Sequence, residues 1–126
     1  MQAWKRYCKM SDLEFLKQVN ETIEANKEDM ISSLSHLLQI PSVAVETGGE
    51  HPFGEEVQKA YDAMLEMARG EDFAVYNADN YGGHIDFTGK GERIVGVVGH
   101  LDVVPEGDGW SFDPYGGEVK DGWICG

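Results

Sequence analysis

Positive charge, cysteine and long apolar runs are all scarce in this sequence, and each scarcity excludes something. Ten lysines and arginines stand against 23 aspartates and glutamates, a net charge of −13. A chain so acidic lacks the basic patch that phosphate backbones require, which argues against nucleic acid as a partner. The two cysteines, Cys8 and Cys125, lie near opposite ends and form no C-x-x-C pattern. They suggest neither a disulfide framework nor a zinc finger, and they fit a reducing, cytoplasmic setting. No apolar stretch approaches the ~18–20 residues of a membrane span, so no membrane partner is expected. The basic start, Met1 to Lys9, has no apolar centre of the signal-peptide kind. It reads as an upstream extension over residues 1–9, with Met10 as the natural start.

What is present divides into helical and strand-like periods. Ser11 with Glu14 three residues later forms a capping box, and Leu16, Val19 and Ile23 follow at helical spacing. A second helix is expected from Lys27 to Gln39, with the stripe Met30, Ile31, Leu34, Leu37 and Leu38. Asn26 is placed to cap it and Pro41 to stop it. His36 falls off that stripe and reads as a surface residue. Pro41 to Phe53 reads as a loop; its His51 has no second ligand beside it.

A third helix carries Val57, Ala60, Tyr61, Met64, Leu65 and Ala68, with Gly70 as its expected cap. Its methionines read as packing, not as ligands. After Gly70 the period becomes two. Phe73–Tyr76 and His84–Thr88 are expected as strands around an Asn80–Gly83 turn, with His84, Asp86 and Thr88 facing solvent. Lys120-Asp121-Gly122 between Glu118-Val119 and Trp123-Ile124 signals a hairpin. Trp110, Phe112 and Pro114 are placed to pack down the acidic Glu106–Gly109 loop. Helices followed by strands suggest an α/β layer architecture.

The centre of the reading is the run Ile94 to Val98. It is apolar, β-branched and free of charge, as a strand buried on both faces should be. It breaks at Gly99 and delivers His100 and Asp102 beyond its carboxyl end, where ligands collect in open α/β sheets. If His100 binds a metal, a carboxylate two residues on can fix its ring. His84 and Asp86 have the same spacing but lie within a strand, so they serve as an internal control.

The longer string Gly99-His100-Leu101-Asp102-Val103-Val104-Pro105 is followed by Gly107-Asp108-Gly109-Trp110, Asp113-Pro114 and Gly117-Glu118-Val119-Lys120-Asp121-Gly122. It resembles the first metal motif of the M20 metallopeptidase family, most closely its bacterial dipeptidases of the PepV and Sapep type. The resemblance implies that His100 is a zinc ligand and that Asp102 is the catalytic-site aspartate steadying it. It also implies a site of two Zn2+ ions acting on dipeptides. On this view residues 10–126 are the N-terminal part of an α/β zinc-peptidase catalytic domain, with helices packed on a mixed β-sheet. The bridging aspartate, the glutamate general base, the rest of the domain and the lid domain are expected outside the chain, which alone is expected to be inactive. Two other readings stay open: an M20 deacylase or desuccinylase of N-acyl compounds, and a non-catalytic binding domain.

Overall fold

Three helices and two small antiparallel sheets make up the described residues of the computed structural model, which are 11–126. The expected extension over residues 1–9, with Cys8 in it, lies outside them. The chain divides into two compact units, with the division between Ser32 and Ser33.

The first unit holds α1 (Asp12–Ala25) and the start of α2 (Lys27–Leu38). The capping box is formed. Ser11 Oγ accepts from the Glu14 backbone N–H at 3.3 Å, and Glu14 Oε2 accepts from the Ser11 N–H at 3.0 Å. The backbone and then the hydroxyl of Ser11 hold the Glu14 carboxyl below its ordinary range. Asn26 does not cap α2 as expected. It closes α1 instead, its side-chain amide donating to the Thr22 carbonyl at 2.7 Å and its N–H reaching Thr22 and Ile23. The freed carbonyls at the end of α1 outcompete the start of α2 for this side chain. No residue of either helix is buried, so their apolar stripes are uncovered among the described residues.

In the second unit α3 (Glu55–Gly70) packs against β1 (Ala74–Asn77), which pairs with β2 (Gly83–Asp86) in the register Val75 to Ile85 and Tyr76 to His84. Three residues of the expected stripe, Ala60, Leu65 and Ala68, form the buried core. Full burial of a leucine side chain contributes roughly 1.5–3 kcal/mol, so Leu65 is the main apolar anchor. The helix meets the hairpin through the Tyr61 hydroxyl, which donates to the Gly82 carbonyl at 2.7 Å. A side chain at Gly83 would collide with that hydroxyl and with the Tyr76 carbonyl, so glycine is required there. Buried Gln58 donates to Asp62 at 2.9 Å and to Asn80 at 3.2 Å, and Asn80 in turn donates to the Glu50 carbonyl at 2.9 Å. The long loop before α3 is thereby tied to the hairpin turn.

Two expectations at the ends of these elements are corrected. Gly70 is still helical. The left-handed residue is Asp72, at φ 60°, and the Asp72 N–H reaches Arg69 while the Phe73 N–H reaches Ala68. That is a Schellman closure with aspartate where glycine is usual. The second strand ends at Asp86, and Phe87 is exposed.

β3 (Glu118–Lys120) and β4 (Trp123–Cys125) form the expected hairpin. Asp121 and Gly122 have φ of 50° and 83°, the two positive values that a two-residue type I′ turn needs. The end of α2 sits on this hairpin's approach. Ser35 Oγ donates to the Gly117 carbonyl at 2.5 Å and Gln39 to that of Gly116 at 3.3 Å.

The largest correction concerns Ile94–Val98. It is neither a strand nor buried: its four β-branched side chains are 89% to 98% exposed. A strand buried on both faces needs a neighbour on each edge and a layer on each face, and none of these lies among the described residues. Pairing resumes at Val103, in a single parallel bridge with Val43. The expected mixed sheet is represented by two separate hairpins and this bridge, the make-up of a partial α/β domain.

The C-terminal closure of α3 yields a test. Gly70 has open space around it and ordinary helical geometry, so Gly70→Ala should stabilise the protein by about 0.5–1 kcal/mol in urea denaturation. Asp72→Gly should also stabilise, whereas Asp72→Val should destabilise by roughly 1–2 kcal/mol, because a β-branched residue resists the left-handed region. If glycine and valine at position 72 are equivalent, that region does not close the helix.

Candidate metal-binding site

The arm from Gly91 to Pro105 carries the two candidate residues, and Ser42 holds it. The Ser42 carbonyl accepts the Val103 N–H at 3.0 Å, and the Ser42 hydroxyl donates to the Leu101 carbonyl at 2.6 Å. Ser42 is only 3% exposed. It sits just beyond the Pro41 stop of α2, and 59 residues separate it from Leu101. No local pattern in the sequence announces that pairing.

Between these two anchors, His100 turns back on Asp102. Its Nδ1 lies 2.9 Å from the Asp102 carbonyl oxygen and 3.3 Å from Oδ1 of the same residue. Both neighbours are acceptors, so Nδ1 carries the proton and donates. The proton-free Nε2 then keeps its lone pair, and it makes no hydrogen bond among the described residues. This is the tautomer that a metal-binding imidazole needs, held by the kind of oxygen partner such histidines usually have. Both side chains are largely exposed, His100 at 81% and Asp102 at 52%.

The other histidines are engaged differently. His84 stacks on Tyr76, with ring centres 5.1 Å apart, and its Nε2 lies 3.5 Å from Asp86 Oδ2. The control pair thus points the opposite ring nitrogen at its carboxylate, leaving Nδ1 over the strand. His51 Nδ1 bonds Glu55 Oε1 at 2.8 Å in the first turn of α3. That hydrogen bond is the main cause raising the His51 pKa. His36 is exposed in the last turn of α2.

Downstream, the Glu106–Gly109 loop is held in part as expected. Trp110 packs edge-on against Phe112 at 5.2 Å, and its indole N–H donates to the Glu106 carbonyl at 2.6 Å. The sequence gave no sign of the Tyr115 hydroxyl, which donates to Glu106 Oε2 at 2.9 Å. The Glu106 backbone and then this hydroxyl lower the Glu106 pKa, and the Tyr115 phenol is raised in return.

Among the described residues, no three His, Cys, Asp or Glu side chains converge as a metal ion would require. A zinc site takes three or four protein ligands. The described residues therefore fit one imidazole position of a zinc centre, with its supporting carboxylate, and do not complete the centre.

Two measurements check these assignments. Ser42→Ala removes the Leu101 anchor, at a cost of about 1 kcal/mol. It should speed hydrogen exchange at the Val103 amide while leaving the amides of α3 protected; unchanged exchange at Val103 would show that the arm is held elsewhere. His51 should titrate above its ordinary value near 6.5 in NMR. Its bond to Glu55 then favours the folded state fully below pH ~6.5 and fades as pH rises through the raised pKa. Glu55→Gln should return the titration to the ordinary value; an unmoved midpoint would remove Glu55 as the cause.

No family model matches the chain. It is 44% identical over 100 residues to a Bacillus subtilis protein named Putative dipeptidase YtjP, a match covering 78% of this chain and 21% of that protein. It is 35% identical over 109 residues to the Beta-Ala-Xaa dipeptidase of Lactobacillus delbrueckii subsp. lactis, covering 84% of this chain and 23% of the relative. The chain is thus similar over about four fifths of its length to proteins named dipeptidases, and it spans about a fifth of theirs.

Proposed function

We propose that this chain is the segment of a metal-dependent dipeptidase that supplies one zinc-binding imidazole, His100, and the aspartate that orients it, Asp102. The observation that carries the proposal is the His100 ring. Its Nδ1–H is committed to Asp102, which leaves Nε2 as the donor atom. The dipeptidase names of the relatives supply the reaction and substrate class, and the motif Gly99–Pro105 supplies the likeness to M20 peptidases. No helix among the described residues is long and apolar enough to cross a membrane, which accords with a cytoplasmic enzyme acting on small peptides.

When bound, a pair of Zn2+ ions would supply an activated water and polarise the scissile carbonyl. This chain's own part is orientation. Asp102 fixes the imidazole tautomer and raises its basicity. Ser42 fixes the backbone on either side of Asp102, so that the ring and its partner stay in register. The remaining ligands and the general base are assigned to the parts of the relatives that this chain does not match.

Three outcomes are expected. In the whole protein, His100→Ala should abolish metal binding at one position and activity on dipeptides, and Asp102→Ala should weaken metal affinity or activity by roughly 10–100-fold. The double substitution His84→Ala with Asp86→Ala should leave metal content unchanged. Residues 1–126 alone should bind zinc weakly, without fixed stoichiometry, and hydrolyse no dipeptide. Retained metal and rate in His100→Ala, or loss of zinc in the His84 and Asp86 double variant, would overturn the assignment. Cleavage of N-acyl amino acids in preference to dipeptides would keep the site and change the substrate class.

A further inference from the structure

We propose that Ile94–Val98 is a self-complementary strand through which two copies of this chain associate antiparallel, with the two-fold axis at Gly96. Ile94, Val95, Val97 and Val98 are 89% to 98% exposed, and residues 92–100 make no backbone–backbone hydrogen bond among the described residues. Their N–H and C=O groups and their β-branched side chains therefore offer the open edge that templates strand pairing.

The occupant and its register follow from the charges that flank the run. With Gly96 opposite Gly96, Ile94 faces Val98 and Val95 faces Val97, each pair occurring twice by symmetry. The same register sets Glu92 opposite His100 and Lys90 opposite Asp102. All four of those charged or titratable groups fall on the Ile94 and Val98 face, because alternate residues share a face. Moving the axis to Val97 would set Glu92 opposite Asp102. Moving it to Val95 would set Lys90 opposite His100. Directly opposed like charges destabilise a strand pair and opposed unlike charges stabilise it, so the pattern selects the Gly96 axis. A copy of the same chain brings this complementary order of charges with it.

The pairing is weak and reversible. One strand pair of this length covers less than the ~800 Å² per partner of a standard stable interface. Two chains of charge −13 also repel. At ~0.15 M salt that repulsion is screened beyond about 8 Å, while strand contacts act at about 5 Å.

The test is sedimentation of residues 1–126 at ~0.15 M salt over roughly 10 µM to roughly 1 mM protein. A dimer fraction that rises with concentration is expected. Val97→Lys should abolish it, and since Val97 stands 94% exposed the helices should be unaffected by circular dichroism. That substitution also lowers the net negative charge, so general repulsion alone would predict the reverse. In a Cys8→Ser, Cys125→Ser background, Gly96→Cys should form an intermolecular disulfide faster than Val95→Cys. Position 96 faces itself at a Cα separation of about 4.5–5.5 Å, within disulfide reach, and a side chain there meets nothing within 4 Å. Position 95 meets its own copy only diagonally. A monomer at every concentration, a dimer that persists in Val97→Lys, or faster cross-linking at 95 than at 96 would each overturn the proposal.

Discussion

The candidate site depends on Ser42. Its carbonyl and its hydroxyl are the two groups that tie the arm to the rest of the chain, and they do so on either side of Asp102. Burial makes both bonds count, since a serine that is 3% exposed has no water to compete for its hydroxyl. The arm is thus fixed at one place, immediately beside the carboxylate, and open along the apolar residues that precede it. Order at the candidate residues coexists with unpaired backbone a few residues upstream.

Much of the local structure could be read from the sequence, because the signals for it lie within a few residues of one another. The Ser11 and Glu14 capping box, the α3 stripe ending in buried Ala60, Leu65 and Ala68, and the turn at Asp121-Gly122 are of this kind. The misreadings have two physical sources. One is competition between neighbouring ends: Asn26 serves the end of α1 rather than the start of α2, and Asp72 rather than Gly70 takes the left-handed position after α3. The other is tertiary. Whether Ile94–Val98 is a buried strand depends on partners that no local pattern specifies, and among the described residues it has none.

The same division holds for the site. His100 and Asp102 stood out by position and by likeness to a known motif. Which ring nitrogen is committed, and what keeps the pair in place, came from Ser42 and from the backbone carbonyl of Asp102 itself. The two H-x-D pairs show why spacing alone does not decide function. Both bring a ring nitrogen within 3.5 Å of a carboxylate oxygen. In one, strand pairing and a Tyr76 stack set the ring; in the other, the chain turns back so that Nδ1 meets two oxygens and Nε2 meets none.

The account therefore stands or falls on the state of one imidazole. Nitrogen-15 NMR of the histidine rings at neutral pH, followed through a zinc titration, reads that state directly. The account predicts that His100 is protonated on Nδ1 before zinc is added, and that its Nε2 responds to zinc ahead of any nitrogen of His36, His51 or His84. A proton on His100 Nε2, or a first response at His84, would contradict it.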